Sequence, residues 1–286
     1  MKKLAIFGAR GYLGRQLAHY FSDKGVPCDG FDVPECDVTN RAFWETFSPT
    51  DYSAVLFFAG LTGTERGFDL ADSYLQVNEG GLLNLLSRLA PFGAAAPKVI
   101  FPSTRLVYRG SEHPLCEDAP KETKTVYAVN KLACESYLSA YANRYGIRYA
   151  VCRICVPYGS LTDADDYSYG TVGFFVRQIA DGQPVRLYGG GVVRRTFTHV
   201  ADICRVVEFL SRSTATGVFN VGGCAHSLRE VAERFAAKGN ADVQSVEWPD
   251  EALRLESGST VFDSTRLDEL YRQSCGECMG YEDIMK

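Results

Sequence analysis

Lys3-Leu4-Ala5-Ile6-Phe7-Gly8-Ala9-Arg10-Gly11-Tyr12-Leu13-Gly14 runs from a short apolar stretch into glycines spaced three apart. Lys3–Phe7 reads as a buried strand and Tyr12–Lys24 as the helix after it. Glycines at this junction let the chain turn tightly and let another group approach the backbone closely. The helix start then offers free N–H groups and the positive end of its dipole, which together suit a pyrophosphate. As the first strand–turn–helix of the chain, the stretch opens an α/β fold.

Working outward, further strands are predicted at Val26–Phe31, Ala54–Phe58, Lys98–Phe101 and Arg148–Ile154, with helices at Arg41–Phe47, Asp69–Leu89 and Val126–Tyr145. Ala54-Val55-Leu56-Phe57-Phe58 is continuously apolar, as a parallel strand covered on both faces must be. Strand–helix alternation over the first half implies βαβ units in a doubly wound parallel sheet of Rossmann type. After Pro157 the texture changes. A polar loop at 161–170 precedes a helix at Thr171–Ala180, strands at Val185–Tyr188 and Thr196–His199 and a helix at Val200–Leu210. A strand at Val218–Val221 and a helix at Leu228–Ala236 follow. The division expected is a first domain over 1–156, to which 200–221 returns, and a smaller lobe over 157–286.

The chain has 286 residues, 46% hydrophobic and 23% charged, which places it with globular proteins. Thirty basic against 35 acidic residues give a net charge of −5, which argues against a nucleic-acid-coating surface. No apolar stretch reaches the length of a membrane span, and the apolar run after Lys2-Lys3 is too short for a signal peptide, so a cytoplasmic protein without membrane contact is expected. The ten cysteines mostly stand singly in apolar runs. Of the two C-x-x-C pairs, Cys152/Cys155 lies in a strand, where positions three apart face opposite sides, and Cys275/Cys278 has no partner pair; no metal is expected. The Asp163, Asp165, Asp166 group lacks the glycine and distal glutamate of a calcium loop and reads as solvated charge.

The second strand leads into Asp32, 24 residues after Gly8. A carboxylate there accepts the adenosine ribose hydroxyls and repels a 2′-phosphate, which favours NAD over NADP. Arg10, in the glycine turn, is the countervailing residue, because a guanidinium can reach a 2′-phosphate. Asp37-Val38 follows, placed to edge an adenine.

Tyr127 and Lys131 stand four apart, one helical turn on one face. Free tyrosine titrates near pH 10 and is a poor base, but a neighbouring ammonium and the charge of an oxidised nicotinamide both favour its phenolate. The fourth strand ends in Ser103-Thr104, where a hydroxyl 23 residues before Tyr127 can hold a substrate oxygen while Tyr127 moves its proton. Hydride chemistry needs this arrangement, because a proton leaves oxygen as hydride leaves carbon.

On these residues the chain resembles the extended short-chain dehydrogenase/reductases that act on nucleotide sugars. The resemblance spans nearly the whole length: Gly8, Gly11 and Gly14; Asp32; Phe58-Ala59-Gly60-Leu61; Asn78; Ser103-Thr104 with Val107-Tyr108; Tyr127 and Lys131; Arg195-Thr196-Phe197-Thr198-His199-Val200-Ala201-Asp202; and Phe219-Asn220-Val221-Gly222. It implies a catalytic Thr104, Tyr127 and Lys131. It implies cofactor contacts from Gly8, Arg10, Gly11, Tyr12, Leu13, Gly14, Asp32, Asp37, Val38, Phe58, Ala59, Gly60 and Asn78, besides Tyr127 and Lys131. Ser103, Thr104 and Arg195 are implied to meet the substrate, Arg195 at its phosphates. It further implies a homodimer through the helices Asp69–Leu89 and Val126–Tyr145.

The departures narrow the chemistry. The family's 4,6-dehydratases carry Asp-Glu after the catalytic Thr, and this chain has Arg105-Leu106. Phe58-Ala59-Gly60-Leu61 is similar to UDP-galactose 4-epimerases, although Thr62 replaces their lysine. An asparagine often met near the nucleotide sugar is replaced within Ile154-Cys155-Val156-Pro157, and Thr196 replaces the R-D-F aspartate. His199, at a strand end, reads as a packed histidine, while Tyr108 and Tyr158 either line or cover the site. The expectation is an NAD-dependent nucleotide-sugar epimerase acting at C4. A 4-keto-sugar reductase using NAD(P)H is the alternative. A non-catalytic dinucleotide sensor is a third reading, disfavoured because the Tyr127/Lys131 pair is intact.

Overall fold

The computed structural model describes residues 2–163 and 166–286; Asp165 of the acidic loop lies outside them. In chain order come β1 (Lys3–Phe7), α1 (Tyr12–Asp23), β2 (Cys28–Phe31), α2 (Arg41–Thr46), β3 (Tyr52–Phe57) and the single turns α3 (Arg66–Asp69) and α4 (Ala71–Tyr74). A π-helical turn (Leu75–Gly80) leads into α5 (Gly81–Leu89), followed by β4 (Lys98–Thr104), α6 (Val126–Tyr145), β5 (Tyr149–Ile154), β6 (Val156–Tyr158), α7 (Gly170–Ala180) and β7 (Val185–Tyr188). Then come β8 (Arg194–His199), α8 (Val200–Arg212), β9 (Gly217–Asn220), β10 (Cys224–Ser227), α9 (Leu228–Gly239), β11 (Val243–Val246), α10 (Asp250–Leu255) and α11 (Thr265–Cys275).

The chain packs as two compact units: Met1–Val107, Thr125–Arg153 and Cys204–Phe219 in the first, and Tyr108–Lys124, Ile154–Ile203 and Asn220–Lys286 in the second. The first contains the sheet β2-β1-β3-β4-β5-β9. Strand β1 pairs in parallel with β2 on one side and β3 on the other, so the strand order reverses at β1. Such a reversal opens a crevice at the strand's carboxyl end, where the Gly8 turn sits. This is the Rossmann-type architecture read from the apolar runs.

The core of this unit is aromatic. Phe7, fully buried, stacks on Phe31 at 4.8 Å and on Trp44 at 5.0 Å, with Phe47 and Phe57 beside it. Burying one such ring contributes roughly 1.5–3 kcal/mol. Lys98, at the start of β4, is buried too. Its Nζ donates to the carbonyls of Leu210, Ser213 and Ala215 and so caps the C-terminus of α8.

The second unit holds two small sheets. In one, β8 pairs antiparallel with β10 and parallel with β6; in the other, β7 and β11 run parallel.

Three expectations need correction. The helix expected over Asp69–Leu89 runs from Ala71 to Leu89 but passes through a π turn, and Leu70, with φ −121° and ψ 35°, separates it from the single turn α3. Gly80-Gly81 has low helix propensity, and buried Asn78 and Glu79 take partners on other segments, which a π turn allows. Residues 108–124, assigned from sequence to the first domain, pack in the second unit. There Leu115 bridges Phe262, Glu117 Oε1 accepts the Asn220 N–H, and Asn220 Nδ2 donates to the Leu115 carbonyl. The second strand is shorter than expected, because Pro27 cannot donate to the ladder and pairing starts at Cys28. Among the described residues no helix is long and apolar enough to cross a membrane.

Candidate active site

The glycine turn is fixed by its surroundings. Gly8 has φ +80°, and a Cβ on it would lie 2.6 Å from the backbone of Phe58 and Ala59. A Cβ on Gly14 would lie 2.0 Å from the Gly8 carbonyl oxygen. Helix α1 therefore starts hard against the turn, with Tyr12 and Leu13 in its first turn and Gly11 as its N-cap without a side chain to block the free N–H groups.

Asp32 lies just past β2. Its carboxylate accepts the backbone N–H of Arg10 at 2.7 Å and of Val33 at 2.8 Å. A carboxylate has about four acceptor sites, so two remain for ribose hydroxyls. Asp32, Ala9, Arg10 and Glu35 border a cavity of about 420 Å³. The Arg10 guanidinium donates to the Val33 carbonyl and pairs with Glu35 at 2.8 Å. Asp37 is exposed and accepts Thr39 N–H and Oγ1 at 2.8 Å each. Val38 is buried under α5, its carbonyl accepting Trp44 Nε1 and Asn84 Nδ2.

Past β3, the segment Phe58-Ala59-Gly60 is held through Leu61. Asn78 Oδ1 accepts the Leu61 N–H at 2.7 Å and Asn78 Nδ2 donates to the Leu61 carbonyl at 3.1 Å. Asn78 thus shapes this loop with an amide already engaged by the protein. Beside it runs a network that sequence reasoning missed. Buried Glu79 accepts Asn130 Nδ2 at 2.6 Å and the Tyr137 hydroxyl at 3.0 Å, and Asn130 Oδ1 lies 3.5 Å from Asn78 Nδ2. Since Asn130 stands between Tyr127 and Lys131, the network links α6 to the loop after β3.

Helix α6 is capped by Thr125, whose hydroxyl accepts the Ala128 N–H at 3.1 Å. Tyr127 falls in the first turn, where the helix dipole favours a phenolate. Lys131 is buried and donates from Nζ to the Pro102 carbonyl of β4 at 2.8 Å, with the ammonium 5.7 Å from the Tyr127 ring centre. Burial pushes its pKa down to about 8, with Cys134 and Glu135 opposing the shift. Thr104, two residues past Pro102 at the end of β4, accepts the Leu106 N–H on Oγ1 at 3.2 Å. Ser103 donates to Glu135 Oε1, and Arg153 grips the same buried carboxylate from Nε at 3.0 Å and from Nη2. Its hydroxyl is therefore engaged inside the first unit.

In the second unit Arg195 is almost wholly buried. Its guanidinium pairs with Glu256 at 2.6 Å and donates to the Arg194 and Gly258 carbonyls. His199 pairs with Glu282 at 3.1 Å and packs edge-on to Tyr158, whose hydroxyl donates to the Glu282 carbonyl. Tyr108 donates to Asn220 Oδ1 at 2.7 Å. Both tyrosines are buried with hydroxyls bonded internally. Cys155 donates to the Thr260 carbonyl at 3.2 Å, and Asp166 accepts the Ser168 N–H.

A parallel sheet whose order reverses at a glycine turn, with a carboxylate at the end of the second strand, defines a dinucleotide-binding protein of the Rossmann class. The cradle that a Cβ on Gly8 or Gly14 would fill, and the Asp32 carboxylate at a cavity, fit NAD. Residues 4–222 match the NAD dependent epimerase/dehydratase family, and the chain belongs to that family. It is 27% identical over 220 residues to a UDP-glucuronate 4-epimerase of Thermodesulfobacterium geofontis, covering 73% of this chain and 65% of that one. It is 28% identical over 278 residues to a GDP-6-deoxy-D-mannose reductase of Pseudomonas aeruginosa, covering 94% and 90%. The match to a mouse dTDP-D-glucose 4,6-dehydratase spans 59% of this chain and 46% of that one, so the chain corresponds to less than two thirds of some of these relatives. A Thermus thermophilus UDP-glucose 4-epimerase solved with NAD superposes with a TM-score of 0.80 at 23% identity, over 99% of this chain and 96% of that one, a likeness of fold.

Proposed function

We propose that the chain is an NAD-dependent nucleotide-sugar epimerase that inverts C4 of a hexose by transient oxidation. The observation that carries the reading is the bond from Lys131 Nζ to the Pro102 carbonyl, which ties the helix bearing Tyr127 to the strand ending in Thr104. NAD supplies a hydride acceptor that becomes the donor within the same turnover. Tyr127, supported by the Lys131 ammonium and the start of α6, takes the C4 hydroxyl proton as the C4–H bond breaks. Thr104 holds that oxygen by a hydrogen bond. After the 4-keto sugar turns over, Tyr127 returns the proton to the oxygen and the hydride re-enters on the opposite face. Atoms and electrons balance with no external reductant. Arg105-Leu106 after Thr104 places no acid there to expel water, in keeping with epimerisation over dehydration.

The second reading, a 4-keto-sugar reductase, is favoured by the Pseudomonas aeruginosa reductase, which matches 94% of this chain. Incubation with UDP-, GDP-, dTDP- and CDP-hexoses separates the two. A C4 epimer formed without added NADH supports the proposal. Stoichiometric NADH loss on 4-keto sugars, with no epimer from any hexose, refutes it.

A further inference from the structure

The cavity beside Asp32 carries more charge than NAD recognition by Asp32 alone requires. Two carboxylates, Asp32 and Glu35, and one cation, Arg10, border it. Arg10 stands in the glycine turn with its backbone N–H on Asp32, so its side chain starts from the rim where a ribose 2′-substituent would lie. Left to itself, a guanidinium there is the residue type that captures a 2′-phosphate, because its planar fork pairs with phosphate oxygens. Here that fork is already engaged, with one arm on the Val33 carbonyl and the other on Glu35 at 2.8 Å.

We propose that Glu35 is a determinant of cofactor choice: it draws the Arg10 guanidinium away from the ribose and so turns a potential NADP-accepting turn into an NAD-selective one. The inference rests on the NAD reading and adds to it. With Arg10 neutralised in place, the rim keeps the net negative charge of Asp32, and a 2′-phosphate meets repulsion without a counter-cation. The pair also perturbs its own titrations: Glu35 is held below the usual carboxylate range by the Arg10 hydrogen bond, and Arg10 is raised by Glu35. Both side chains are more than half exposed, so the pair is too well solvated to serve as a stability device. The same exposure leaves Arg10 free to swing once Glu35 is gone.

The test is calorimetric titration of NAD+ and NADP+ into protein freed of bound dinucleotide, for the wild type, E35Q, R10A and R10A/E35Q. The wild type is expected to prefer NAD+. Glu35→Gln should tighten NADP+ by about five- to tenfold, the scale of an exposed charge pair acting on a doubly charged phosphate, and change NAD+ by less than about twofold. The gain should disappear in R10A/E35Q and shrink at high salt, where exposed charges are screened. An unchanged NADP+ affinity in E35Q, or a gain that survives removal of Arg10, would overturn the proposal. A wild type that prefers NADP+, or that binds neither dinucleotide, would overturn the NAD reading and the role of Glu35 with it, whereas a wild type that prefers NAD+ with no NADP+ gain in E35Q would overturn the role of Glu35 alone.

Discussion

Replacing Glu79 by alanine removes a buried carboxylate that accepts Asn130 Nδ2 at 2.6 Å and the Tyr137 hydroxyl at 3.0 Å. Hydrogen bonds to a charged acceptor contribute about 1.5–3 kcal/mol each, and a buried amide left without its partner costs about 1–3 kcal/mol. Asn130 is 3% exposed and keeps only the long 3.5 Å contact with Asn78, so water cannot easily replace Glu79. Release of the buried charge offsets part of the loss. The expected net destabilisation is about 2–4 kcal/mol, read as a lower urea midpoint at constant slope. Glu79→Gln, which keeps the shape and one acceptor oxygen, should fall between. In the double-mutant cycle with Asn130→Ala the coupling should be about 1–3 kcal/mol, because the two side chains touch. The functional consequence follows from position: Asn130 lies between Tyr127 and Lys131, so E79Q should lower kcat more than it raises KM. A loss below about 0.5 kcal/mol in E79A, or additivity in the cycle, would refute the network as a link between α6 and the loop after β3.

Tyr127→Phe should keep the fold and NAD binding yet lose about 10²–10⁴-fold in turnover, the share of one general acid/base, and near-normal turnover would remove Tyr127 from the mechanism. Lys131 gives a pH signature of known sign. Its folded pKa of about 8 lies below the ordinary 10.5, so between these values the unfolded chain binds more protons and stability rises with pH. Below pH 8 the cost of the buried ammonium is present in full. The unfolding free energy of the wild type relative to Lys131→Met should therefore increase by about 1–2 kcal/mol from pH 8 to pH 10, and a flat or falling difference would contradict the buried-ammonium assignment.

What could be read beforehand had local signatures. β1, β3 and β4 are built on apolar runs, and the Gly8–Gly14 turn is marked by Gly8, with φ +80°, and by Gly14, where a Cβ would meet the Gly8 backbone. Tyr127 and Lys131 share a helix face by spacing alone. What escaped depends on partners distant in the chain. Glu79 and Asn130 are 51 residues apart, and Glu135 and Arg153 are 18 apart on different elements, so no periodicity marks either pair. One signal was available on α6: Lys131 and Glu135 stand four apart on its buried face, and a charged face turned inward must be satisfied from elsewhere. The π turn escaped because apolar residues from Leu70 to Leu89 keep a helical period across it. β11, α10 and α11 were not foreseen, since their residues lack a sustained apolar face. Arg195 was assigned from the resemblance to phosphates, and its burial against Glu256 could only be seen once 194–196 and 256–260 were brought together.

The central claim is that hydride leaves C4 and returns to C4 within one turnover. The most direct measurement follows a nucleotide hexose deuterated at C4, incubated with the protein and NAD alone and resolved by mass and proton NMR. The account predicts a C4 epimer that retains the deuterium at C4, with no net absorbance change at 340 nm. A 4-keto product whose deuterium has passed to NADH, or an epimer that has exchanged C4 deuterium for solvent hydrogen, would contradict it.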